Sequence, residues 1–229
     1  MKSQILNIGH RGAKGHLAEN TLESIKKALE IGVDGIEIDV HKCASGELVV
    51  FHDFTLDRMT NGSGEVSKQS LLQLKQLKVL GKYEIPTLIE VLDLIAGKYL
   101  INIELKGKNT ALGTFETVMD YVQNKSWKYN QFMVSSFQQN ELQNLYNLNK
   151  NIPLAVLTKA SVSDAIQFAL TVQAHAIHPN FALVTMDNVK AAHDKGLKVN
   201  TWTVNEKETI ERMKSYGVDG IISDFPNRF

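Results

Sequence analysis

Short apolar runs rich in β-formers alternate with amphipathic segments of helical period along almost the whole chain. Such turn-taking is the signature of βαβ units and a parallel sheet. The segments QILNIG, GIEIDV, YLINIEL, QFMVSSF, IPLAVLT, AHAIHPN, LKVNTWTV and DGIISDF read as strands. Helices are expected from about Thr21, Thr87, Ala111, Gln138, Ser161, Thr185 and Asn205. Eight strands in 229 residues predict one closed (β/α)8 TIM barrel over residues 1–229. The alternative is an open doubly wound sheet, but no G-x-G-x-x-G follows the first strand to support it.

One pentapeptide is written twice. GVDGI occupies residues 32–36 and again 217–221, each time between a helical segment and an apolar strand. In the first copy Asn20 reads as the cap of the preceding helix, with Glu23 completing a capping box. Leu22, Ile25, Ala28 and Leu29 form its buried stripe, and Gly32 stops it. GVDGI therefore reads as a joint that ends a helix and starts a strand, used at the second and eighth strands.

The alternation lapses between His52 and about Pro86. Residues 53–86, including TNGSGEV, are too long for a simple βα loop, so a small insertion capping the barrel mouth is expected after the second βα unit's strand region. At the other end the sequence stops at Phe229, just after the last strand, so the eighth helix is expected to be short or missing. That leaves a thinly covered wall, which a second copy in a homodimer could close.

The second and third strands carry acids at alternate positions. Ile36, Ile38 and Val40 take one face and Glu37, Asp39 and His41 the other; Ile101, Ile103 and Leu105 similarly oppose Asn102, Glu104 and Lys106. With the apolar sets packed on helices, three carboxylates point into the barrel, at a cost of several kcal/mol each unless a cation compensates them. A structural network with Lys106 and Arg11 is one answer. A divalent cation on Glu37, Asp39 and Glu104 is the favoured one, because barrel active sites lie at the C-terminal ends of the strands. All-oxygen ligation selects a hard ion, Mg²⁺ or Ca²⁺.

His10 ends the first strand within GHRG, and His52 ends the short strand GELVVFHD. Two imidazoles beside a dication supply a proton acceptor and a proton donor for cleaving a phosphate ester, and the fork of Arg11 suits phosphate oxygens. His178 before a proline reads as structural, and His16, His41, His175 and His193 as surface or packing residues. Cys43, Ser135 and Ser136 have no adjoining histidine in sequence, which gives a covalent nucleophile little support.

Lys plus Arg and Asp plus Glu balance at 25 each, leaving no basic field for nucleic acid. The start lacks a signal-peptide core, and no run of about 18 apolar residues exists to span a membrane. With a single cysteine, a cytoplasmic protein is the expectation.

In order along the chain stand GHRG, ENT, GIEIDV, VVFHDFTLDR, IPTL, NIELK, NTWTVN and GVDGIISDFP. Together they resemble the glycerophosphodiester phosphodiesterase family over nearly the whole length. The resemblance implies a TIM barrel that hydrolyses small glycerophosphodiesters to glycerol 3-phosphate and an alcohol with a divalent ion. It also implies metal carboxylates at Glu37, Asp39 and Glu104, acid/base histidines at His10 and His52, phosphate contacts from Arg11 and Lys106, and an aromatic at Trp202 beside the substrate. From the residues alone Trp202 reads equally well as barrel core. Ala18 replaces the family's usual proline before ENT, and Met59 a common threonine after LDR. Two other readings compete. A metal-free glycosidase using Glu37 and Glu104 leaves His10, Arg11 and His52 without work. A silent phosphate-binding barrel has no need of both histidines.

Overall fold

The computed structural model describes residues 5–229, and in it the alternation becomes a closed barrel. In chain order the elements are β1 (Leu6–His10), α1 (Leu22–Ile31), β2 (Gly35–Lys42), β3 (Leu48–Val50), α2 (Leu71–Lys75), α3 (Leu88–Ile95), β4 (Leu100–Leu105), α4 (Ala111–Asn124), β5 (Phe132–Ser136) and α5 (Gln139–Leu148). There follow β6 (Leu154–Thr158), α6 (Val162–Thr171), β7 (Ala176–Pro179), α7 (Met186–His193), β8 (Lys198–Thr201), α8 (Lys207–Tyr216) and β9 (Gly220–Ser223). Eight strands pair in parallel in the order β1-β9-β8-β7-β6-β5-β4-β2, and β1 pairs with β2 to close the ring. β3 adds to β2 as an antiparallel ribbon. This is a TIM barrel. After β9 only a 3₁₀ turn, Pro226–Arg228, stands where an eighth helix belongs. No described helix is long and apolar enough to cross a membrane.

Period two explains the barrel's inside and outside. Ile36, Ile38, Val40, Ile101, Ile103 and Leu105 pack in one apolar core with helical Ile25, Ala28, Val91 and Leu92. Their alternate neighbours are left for the barrel interior. The chain between β3 and α3 forms a second apolar cluster, in which Leu56, Met59, Val66, Leu74, Val79 and Ile85 pack with Ala18, Cys43, Val49 and Phe51.

The GVDGI joints flank β1 on both sides, since β2 and β9 are its two neighbours. Gly32 and Gly217 end α1 and α8 in the left-handed conformation, with φ of 89° and 81°. Each aspartate then clamps one residue of an adjoining strand by both its backbone groups. Asp34 receives the Asn7 N–H on Oδ2 at 2.8 Å and gives its own N–H to the Asn7 carbonyl at 2.9 Å. Asp219 does the same with Val199, at 2.9 Å and 2.7 Å.

One local expectation fails. α1 is capped by Thr21, whose hydroxyl accepts the Ser24 N–H, and not by Asn20 with Glu23. Asn20 sits at φ 58° and spends its side chain on Asp39 instead. A short polar residue tolerates that conformation, and a buried carboxylate is a stronger attractor than a helix end with another cap beside it.

Candidate active site

The β2–β4 register sets Asp39 beside Glu104 and Glu37 beside Asn102. Glu37, Asp39 and Glu104 are all buried, and each offers an oxygen within 4.8 Å of the others. Burial, followed by repulsion from Asp39 and Glu104, pushes the Glu37 carboxyl well above the usual range. Burial and Asp39 likewise push Glu104 up to about 7. For Asp39 burial acts in the same direction, but Arg11 and Lys106 outweigh it and keep the group below its ordinary value.

The base network weighed against a metal does exist. Lys106 Nζ stands 3.0 Å from Glu104 Oε1 and 3.6 Å from Asp39 Oδ1. Arg11 Nε lies 3.3 Å from Asp39 Oδ2, and the Arg11 N–H donates to Glu37 Oε2 at 2.9 Å. Even so, the network leaves the acids short of partners. Among the described residues Asp39 Oδ1 is buried without a hydrogen-bond donor, and part of Arg11's charge is drawn to a fourth carboxylate, Glu19, at 2.7 Å. Three converging carboxylates with an orphaned buried oxygen fit a hard divalent cation.

Both histidines are oriented from behind. His10 Nδ1 is 2.6 Å from Asp224 Oδ1, and His52 Nδ1 is 2.6 Å from Asp53 Oδ1. With a carboxylate at Nδ1, that nitrogen carries the proton, and Nε2 is left to exchange one. In His10, Nε2 lies 3.9 Å from Glu37 Oε2. Burial lowers the pKa of both rings, chiefly opposed by the Asp224 hydrogen bond at His10 and by the Asp39 charge at His52. With Nδ1 held in this way, each ring exchanges a proton through Nε2.

A cleft of about 410 Å³ joins these groups. His10, Arg11, Glu37, His52, Glu104 and Lys106 line one side, and Phe137, Lys159, Asn180 and Trp202 the other. Trp202 Nε1 donates to the His178 carbonyl at 2.7 Å, and its ring meets Phe137 edge-on at 5.5 Å, so the indole is fixed as a wall. His178 is fully buried, 3.0 Å from Asn200 Nδ2, and lines a separate cavity that does not include the carboxylates. Cys43 contacts Ser45 and Glu47, and Ser136 donates to the Leu105 carbonyl; neither meets a histidine.

Sequence reasoning missed the supporting residues. Asp224 and Asp53 hold the imidazoles, Asn205 holds Asp224 at 2.9 Å, Asn20 holds Asp39 at 2.9 Å, and Glu19 holds Arg11. Asp53 adjoins His52 in the chain and carried a local signal. Asp224 became visible only once β9 was registered against β1.

Oriented imidazoles beside converging carboxylates at the C-terminal mouth of a TIM barrel define a hydrolase of phosphate esters. Within that class, the chain belongs to the glycerophosphoryl diester phosphodiesterase family, whose pattern it matches over residues 10–228. It is 36% identical over 230 residues to a glycerophosphodiester phosphodiesterase of Caldanaerobacter subterraneus subsp. tengcongensis, covering 96% of this chain and 94% of that one. Identity to a Bacillus altitudinis enzyme of the same name is also 36%, with 96% and 95% covered. Among solved structures, an Oleispira antarctica phosphodiesterase in complex with the product sn-glycerol-3-phosphate superposes with a TM-score of 0.88 at 28% identity, over 96% of this chain and 93% of that one.

Proposed function

We propose that this chain hydrolyses glycerophosphodiesters to glycerol 3-phosphate and an alcohol, with one divalent cation, Mg²⁺ or Ca²⁺, held by Glu37, Asp39 and Glu104. The observation that carries the reading is that His10 and His52 each have a carboxylate at 2.6 Å, beside three acids that converge without sufficient counter-charge. When bound there, the cation would supply positive charge that offsets the negative charge of the phosphate ester. The glycerol 3-phosphate in the Oleispira antarctica relative supports the same product here.

The side chains do the remaining work. Arg11 and Lys106 draw in the phosphate oxygens, and the Trp202–Phe137 wall packs the carbon skeleton. One imidazole takes the proton of the substrate's 2-hydroxyl at Nε2 as its oxygen bonds to phosphorus. The bond to the alcohol oxygen breaks, the electron pair leaves with that oxygen, and the second imidazole, which enters the step as an imidazolium, gives it the Nε2 proton. Water then opens the cyclic phosphate with the two roles exchanged. An attached hydroxyl has an effective molarity of about 10⁵–10⁸ M, an advantage that free water lacks. The insertion at 53–86 caps the mouth in this reading, and it contributes Asp53 behind His52. A glycosidase would leave both oriented imidazoles idle.

The experiment is a pair of substrates: a glycerophosphodiester and the matching diester of propane-1,3-diol, which lacks only the 2-hydroxyl. The first is turned over and the second binds without detectable turnover. Comparable turnover of both would rule out the internal nucleophile, while turnover of neither would remove the activity itself.

A further inference from the structure

A chain of charges runs from one imidazole to the phosphate-binding guanidinium by way of the insertion. Asp53, which holds His52, also receives the Arg58 fork, with Nε at 2.5 Å and Nη2 at 2.9 Å. The same Nη2 donates to Glu19 Oε1 at 2.7 Å, and that oxygen also accepts from Arg11 Nη1 at 2.7 Å. Arg58 itself is absent from the lining of the cleft, and its side chain is half exposed. It meets the site only through other residues.

Two physical effects follow from that position. A planar fork engaging both oxygens of Asp53 fixes the plane of the carboxylate, and with it the ring that the carboxylate holds. Glu19, buried at the other end, would otherwise have, among the described residues, only Arg11 close at hand, since Lys14 Nζ is 3.8 Å away. Sharing Glu19 between two guanidiniums lets Arg11 keep positive charge to offer a phosphate. Both groups at the ends of Arg58 support this arrangement. Hydrogen bonding to Arg58 holds Asp53 below the usual carboxylate range, and at Glu19 the bonds from Arg58 and Arg11 together outweigh burial.

We infer that Arg58 is a positioning residue for both His52 and Arg11, so that the insertion takes part in turnover through Arg58 as well as Asp53. This rests on the acid/base reading above. Arg58 touches no reacting atom; it sets the angle of one imidazole and the free charge of one guanidinium.

The test compares Arg58→Ala, Arg58→Lys and Leu74→Ala in the metal-loaded enzyme, with glycerophosphoglycerol as substrate and thermal melting in parallel. Leu74 belongs to the insertion's apolar cluster and lies outside the charge chain, so it reports a merely looser insertion. Arg58→Ala should lose about 10- to 100-fold in kcat, the scale seen for residues that orient metal-site side chains from behind. Millimolar guanidinium should restore several-fold of that loss, and Arg58→Lys, which cannot offer a fork, should recover less than guanidinium does. Leu74→Ala should melt lower yet keep kcat within a few-fold and ignore guanidinium. The inference is overturned if Arg58→Ala stays within a few-fold of the parent, or if its loss matches that of Leu74→Ala and guanidinium restores nothing. A parent inactive on every glycerophosphodiester would instead sink the functional reading, and the inference with it.

Discussion

The His10 imidazole and the Asp224 carboxylate stand 2.6 Å apart across 214 residues of sequence. One ends β1 and the other directly follows β9, strands that pair in parallel with Gly9 opposite Ser223. Asn205 holds the far side of Asp224 through its amide at 2.9 Å. An imidazole held this way keeps one tautomer and one orientation, and the first prediction follows from it. Asp224→Asn should keep the fold and the affinity for the cation, yet lower kcat by about 10- to 100-fold with little change in KM. Steady-state kinetics beside a cation titration would decide it, and a KM effect alone would assign Asp224 to substrate binding.

His10→Ala and His52→Ala should each reduce turnover by roughly 10²–10⁴, the scale of positioned acid–base catalysis. The carboxylate cluster is left in place, so cation binding should survive in both. A variant within a few-fold of the parent would remove that histidine from the proton-transfer scheme.

Cation binding should release protons. Burial holds the Glu104 carboxyl up to about 7, and a ligand oxygen must be deprotonated. At pH 6 the metal-free protein carries a proton there that the cation displaces, so affinity falls as pH drops below about 7. The same shift has the opposite sign for metal-free stability. A carboxyl raised above its unfolded value favours the fold while protonated, and that contribution is lost as pH rises from the ordinary carboxyl range through about 7. Calorimetry at pH 6 in two buffers of different ionisation enthalpy counts the protons; a heat independent of buffer would contradict the prediction.

His178 predicts an acid-sensitive step away from the cleft. Burial lowers its pKa to about 3, against about 6.5 in an unfolded chain. Between these values the unfolded chain binds a proton that the folded one refuses, so stability falls as pH falls through the window. From pH 7 to 5 this amounts to roughly 2 kcal/mol. His178→Asn should unfold with a flatter dependence on pH over that interval in urea titrations. An unchanged slope would mean that the buried ring is already accommodated as a cation.

The tripeptide ENT marks where sequence reading stopped. It served as one piece of a family resemblance, yet in the structure each letter has separate work. Glu19 holds Arg11, Asn20 holds Asp39, and Thr21 caps α1. Strand alternation made the barrel legible because its period is local, and the acids of β2 and β4 were legible because period two fixes their face. Which of two adjacent polar residues caps a helix depends on what else each can reach, and Asn20 reaches a carboxylate that lies 19 positions on. Asp224 was invisible for the same reason, since it meets His10 only after the ring has closed, and Arg58 because Glu19, which it shares with Arg11, lies 39 positions back in the chain.

The position of β1 between β2 and β9 has a consequence for assembly. The β2 side of β1 pairs with chain made soon after it, whereas the other side waits for Gly220–Ser223, almost the last residues of the sequence. Until those arrive, β1 exposes an unpaired row of backbone donors and acceptors, the usual template for sticking to another chain. Closing that seam is a contact of very long range and hence slow to form. A nascent chain released early would therefore lack the partner to His10 and be adhesive at the same edge, so lowered activity and a tendency to aggregate should appear together in any truncation that removes β9.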